Sequence, residues 1–125
     1  MKNTFIYIVL LWSCFAFSQN EQLAQYYYDK GDFEKAKISY EELLKNSPSN
    51  TQYFLRTVES YQQLQQFEAA QKMIQERFNR YKQGVLLVEL GYNFQLQKNE
   101  AKAKNYYDQA IEKIKTNPND VYGIG

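Results

Sequence analysis

One pattern occurs three times along the chain, at a spacing of 34 and then 33 residues. Ala36, Ala70 and Ala103 mark it. Tyr27, Tyr61 and Phe94 stand nine residues earlier, Tyr40, Ile74 and Tyr107 four residues later, and Leu44, Phe78 and Ile111 four beyond those. A unit of this size cannot bury an apolar face by itself, so copies at a fixed period are expected to stack and share a core.

The spacing inside each copy is helical. Residues 33, 36, 40, 43 and 44 are apolar and fall on one face of a 3.6-residue period, with Asp32 placed to cap the helix. Ser47-Pro48-Ser49-Asn50 breaks the period with turn formers. A second helix is predicted from Thr51 to Leu64, carrying Phe54, Val58, Tyr61 and Leu64. After the link Gln65-Gln66 a third runs over Phe67–Tyr81. Gly84 opens the last copy, with helices over Val85–Leu96 and Ala101–Ile114, divided by Gln97-Lys98-Asn99 with Asn99 as cap, and Asn117-Pro118-Asn119-Asp120 closes it. Small residues sit where paired helices must approach: Ala24 and Gly91 on first helices, Ala36, Ala70 and Ala103 on second ones.

These units resemble tetratricopeptide repeats. The first carries Leu23, Ala24, Tyr27, Gly31, Phe33, Ala36, Tyr40 and Pro48 at the family's offsets, the second Val58, Tyr61, Phe67, Ala70 and Ile74, and the third Leu90, Gly91, Phe94, Ala103, Tyr107 and Ala110. Thr57, Gln65, Lys82 and Glu100 depart from the pattern, and Pro118 falls three residues late. The Sel1-type variant, which needs more glycine and a longer period, fits less well. The resemblance implies an all-α fold, a right-handed superhelical array of antiparallel helix pairs with about three repeats. The expected divisions are residues 19–50, 51–83 and 84–118, with 119–125 as the start of a fourth unit.

In such arrays the first helix of each unit lines a concave groove that receives a peptide or a partner's extended segment. Carried over by offset, the groove here comprises Gln25, Tyr28 and Asp29, then Gln52, Leu55, Arg56, Glu59, Gln62 and Gln63, then Val88, Glu89, Tyr92, Gln95 and Leu96. Tyrosine and arginine are the residue types over-represented at binding hot spots. The resemblance implies a protein or peptide partner but not the carboxylate grip of some members. Glu21, Gln25, Val85 and Glu89 stand at those offsets, which leaves Arg56 alone to serve.

Residues 1–18 read as a secretory leader. Lys2 precedes an apolar run from Phe5 to Phe17, and Ala16 and Ser18 supply the small residues before a cut at Gln19. The run is shorter than the ~20 residues a membrane span needs. Export to the periplasm or the outer membrane of a bacterium is therefore expected. Cys14, the one cysteine, permits an alternative in which a lipid is attached there, but bulky Trp12 and the continuing Phe15-Ala16-Phe17 argue against a lipoprotein signal. Cleavage before Gln19 would remove that cysteine and leave packing, without disulfides, to hold the fold.

Lys and Arg number 15 against 14 Asp and Glu, and loss of Lys2 with the leader balances them. No basic stripe of the kind a nucleic-acid binder carries is present, so nucleic acid is not an expected partner. Catalysis has little support: histidine is absent, no cysteine would survive cleavage, and no glycine-rich phosphate loop occurs. No cofactor and no metal are expected. The expected function is an exported scaffold that binds protein, as the N-terminal part of a longer array. The alternative is a surface component that binds glycan or assists nutrient uptake, with tyrosines stacking on sugar rings.

Overall fold

A computed structural model describes residues 19–119, so the leader and the start of a fourth unit lie outside the described residues. Six helices and no strand occur among those described. They are α1 over residues 19–29, α2 Phe33–Asn46, α3 Thr51–Gln63, α4 Phe67–Tyr81, α5 Gly84–Leu96 and α6 Glu100–Thr116. The fold is all-α and built from consecutive helix pairs, of which there are about three, as in tetratricopeptide-type arrays. The helix ends predicted from capping and turn residues agree with the observed ones to within one or two positions. No helix among the described residues is long and apolar enough to cross a membrane.

The three pairs share one turn. The backbone N–H groups of Asp32, Gln66 and Asn99 donate to the carbonyls of Tyr27, Tyr61 and Phe94 at 2.9, 2.8 and 3.0 Å. One residue earlier, Gly31, Gln65 and Lys98 all have positive φ, at 76°, 60° and 60°. The 34- and 33-residue period of the sequence is therefore a period of backbone conformation. Gly31 suits the left-handed region, whereas Gln65 and Lys98 accept strain of about 1–2 kcal/mol each for the same geometry. Asp32 and Asn99 cap the helices that follow, each accepting a side-chain hydrogen bond from the backbone three residues on, while Gln66 makes no such bond.

The chain divides into two compact units between Ser60 and Tyr61. In the first, Ala24, Ala36, Tyr40, Leu43 and Tyr53 form the core, with Tyr27, Tyr28 and Leu44 packed against it. Ala24 and Ala36 are fully buried, as expected of residues that let two helices approach. In the second unit α5 packs against both α4 and α6. Its buried residues, Gly84, Leu86, Leu87, Leu90, Gly91, Asn93 and Phe94, surround the helix rather than marking one stripe, as suits a helix covered on two sides. Gly91 lies under the Tyr107 ring, where an added Cβ would come within 2.5 Å of Tyr107 Cε1.

Two marks of the repeat are more exposed than their offsets suggest. Leu23 is 46% exposed and Ile111 50%. They lie on the first and last of the described helices. Burial on α3 is wider than the predicted face: Tyr53, Thr57 and Ser60 are buried beside Phe54 and Val58. The two hydroxyls are tolerated because Thr57 Oγ1 donates to Tyr53 O and Ser60 Oγ to Arg56 O, both at 2.7 Å.

Candidate functional site

Of the residues predicted to line a groove, Tyr28, Arg56 and Glu59 of the first unit meet in a polar cluster. Tyr28 on α1 and Arg56 and Glu59 on α3 come together. The Tyr28 hydroxyl donates to Glu59 Oε2 at 2.5 Å, and Arg56 Nη1 donates to the same oxygen at 2.9 Å. The guanidinium carbon lies 4.2 Å from the Tyr28 ring centroid. Arg56 and Glu59 are three residues apart and so share a helix face; the helix pairing supplies Tyr28. Their side chains are 30% and 41% exposed, so the cluster is fixed from below and open above.

The electrostatics follow from that arrangement. The Tyr28 hydroxyl is pushed above its ordinary pKa, first by burial and then by its hydrogen bond to the Glu59 carboxylate; Arg56 opposes the shift without cancelling it. Burial acts to lower the Arg56 pKa, but hydrogen bonding and attraction from Glu59, aided by Tyr28 and Tyr40, raise it overall. The guanidinium is thus a permanent cation whose charge Glu59 largely balances. Its Nε is buried and makes no hydrogen bond.

A second chain of bonds stands beside the first. The buried Tyr40 donates its hydroxyl to Gln25 Oε1 at 3.1 Å, and Gln25 Nε2 donates to Asp29 Oδ1 at 2.7 Å. Tyr28 meets Tyr40 and Phe33 edge to face, with ring centroids 6.4 and 5.7 Å apart. Gln25 is thus tied to the cluster through Tyr40, a residue that the sequence presented only as core. Leu55 is half-buried next to Arg56.

The second unit treats its predicted residues differently. Gln62 is 7% exposed and donates through Nε2 to Asn93 Oδ1 at 3.1 Å, so it is an interior residue rather than a free groove residue. Asn93, fully buried, also donates to Phe67 O at 3.0 Å. Gln63 is exposed. Tyr92 is 45% exposed, and Gln95 is exposed while accepting the Tyr107 hydroxyl at 2.6 Å. Val88 and Leu96, one turn either side of Tyr92, are also exposed.

One relation links the two clusters. Tyr28 to Glu59 and Gln62 to Asn93 are both separated by 31 residues, and both pairs are displaced by the 34-residue period. The same donor offset meets the same acceptor offset in each unit. In the first unit the acceptor is a carboxylate and the pair is partly exposed; in the second both partners are neutral amides and buried.

Residues 20–50, which contain α2 and nearly all of the described α1, match the family model of the tetratricopeptide repeat. That match supports a tetratricopeptide repeat protein. The matched segment supplies Gln25, Tyr28 and Tyr40 of the cluster. No curated protein matches the chain significantly. Tetratricopeptide repeats generally mediate protein–protein interaction, as non-catalytic scaffolds.

Proposed function

We infer that this chain is a scaffold that holds a protein partner, and that the α1/α3 face of the first unit is a principal contact. The observation that carries this is the Tyr28–Arg56–Glu59 cluster. It joins a tyrosine and an arginine, the types most often found at hot spots, in a fixed and half-open arrangement. Their mutual bonds hold the side chains before any partner arrives, which reduces the ordering cost of association. Because Glu59 already balances Arg56, the face suits an uncharged polar segment better than an acidic one. Peptide carbonyls could accept from the guanidinium while apolar side chains lie on the Tyr28 ring. Tyr92, flanked by Val88 and Leu96, offers an aromatic and apolar contact on the second unit.

Export is part of the same proposal and rests on residues 1–18: Lys2, the apolar run from Phe5 to Phe17, and the small residues Ala16 and Ser18. The scaffold would then act in the periplasm or at the outer membrane, free after cleavage before Gln19.

The test begins with a partner recovered from the protein's own cells and purified. Its affinity is measured for the full chain and for Tyr28→Ala, Arg56→Ala and Ile38→Ser, the last on α2 and 62% exposed. A loss of at least tenfold for the first two, with less than twofold for the third, is expected. Equal affinity for all four proteins would remove the α1/α3 face from the proposal.

A further inference from the structure

On the second unit a hollow of about 380 Å³ is lined by Gln71 of α4, Phe94 of α5, and Lys102, Asn105, Tyr106 and Gln109 of α6. It is separate from the residues assigned above to protein binding. We propose that it binds a sugar ring carrying a single carboxylate, a uronic acid or a residue of one in a larger glycan.

The polar groups favour hydroxyls. Gln109 Nε2 donates to Asn105 Oδ1 at 2.6 Å, which leaves the Asn105 Nδ2 donor and the Gln109 Oε1 acceptor unused among the described residues. A vicinal diol offers the matching acceptor and donor. The Gln71 amide and the Tyr106 hydroxyl also have no partner among the described residues and line the same hollow. An apolar ligand would desolvate four such groups without replacing their hydrogen bonds to water, at a cost for each. A hydroxyl-rich ring replaces them.

The floor favours a ring over a flexible chain. Tyr106 stacks on Phe94 with centroids 5.6 Å apart and planes 4° from parallel, and Phe94 is 5% exposed. Phe94 holds Tyr106 flat from beneath, and the half-buried Tyr106 ring gives the hollow an apolar wall against which the C–H face or edge of a pyranose can pack.

The charge selects a monoanion. Lys102 Nζ sits 5.3 Å from the Phe94 centroid and makes no ion pair among the described residues, whereas Lys35, Lys37 and Lys104 each have a carboxylate partner. No acid lines the hollow, so the ammonium is available to a carboxylate on the ligand. A neighbouring depression shares Asn105 and Gln109 but adds Asp108 and Glu112. Their charge opposes a second anionic group there, which disfavours polyanions.

The experiment titrates the ¹⁵N-labelled full chain with sodium D-glucuronate, D-glucose and sodium acetate, following the side-chain amide resonances of Gln71, Asn105 and Gln109. Saturable shifts with glucuronate are expected, at an affinity at least tenfold above that for glucose or acetate. Lys102→Gln should lower glucuronate affinity at least tenfold and leave the melting temperature unchanged, because Lys102 is exposed. Asn105→Leu should weaken the same binding while leaving the protein partner's affinity as in the wild type. Absence of saturable shifts, acetate binding as tightly as glucuronate, glucose binding as tightly as glucuronate, or indifference to Lys102→Gln would each overturn the proposal.

Discussion

Tyr28 and Glu59 share a proton donor and acceptor 2.5 Å apart, so each sets the other's chemistry. Glu59→Gln removes the charge that, after burial, holds the Tyr28 pKa up. Tyr28 should then titrate at lower pH than in the wild type, a shift measurable by NMR of the labelled ring. Tyr40, Tyr53 and Tyr107 are raised as well, in each case chiefly by burial. A tyrosine whose folded pKa exceeds its unfolded value of about 10 stabilises the fold below that pH and stops doing so as pH rises through the folded pKa. The melting temperature should therefore fall above pH 10 in step with tyrosine ionisation, read as absorbance near 295 nm on one sample. A fully buried residue gives a sharper case. Asn93→Ala leaves Phe67 O and the Gln62 amide without their partner, and a cost of about 2–3 kcal/mol is expected from chemical denaturation. A loss under about 0.5 kcal/mol would mean that neither bond contributes.

At the scale of the element, the turn that joins each helix pair decides stability through backbone conformation. Gly31 has φ of 76°, so Gly31→Ala should cost about 1 kcal/mol, whereas Gln65→Gly and Lys98→Gly, at φ of 60°, should each gain about 0.5–1 kcal/mol. The opposite signs make the set diagnostic of a left-handed backbone at all three positions. Gln66 stands where Asp32 and Asn99 supply capping side chains; Gln66→Asp should add about 1 kcal/mol for the same reason. Helices, turns and the two side-chain caps were legible in the sequence, because 3.6-residue spacing and cap chemistry are local. The positive φ of Gln65 and Lys98 was hidden, since neither residue advertises it. It was nonetheless recoverable from their register with Gly31. The site was legible only by register. Tyr28, Gln62 and Gln95 hold one repeat offset, yet the first is half-buried against Glu59, the second interior against Asn93 and the third exposed beneath the Tyr107 hydroxyl. Offset gives the helix face, and what lies opposite that face comes from distant residues. The partners of Tyr40 and Asn93 are distant residues of this kind.

For the whole molecule, the period of the sequence is the period of its turns and of its bonds between first helices. A chain organised this way repeats its helix faces, and its first unit carries a polar cluster already assembled on one of them. The most direct measurement places a photo-crosslinking amino acid at Gln52, exposed on α3 one turn before Arg56, and separately at Ile38 on α2. Both proteins are irradiated in their own cells. A discrete protein adduct at position 52, absent at 38 and suppressed by Arg56→Ala, is the predicted result. Adducts of equal yield at both positions, or none at 52, would contradict a protein-binding role for this face.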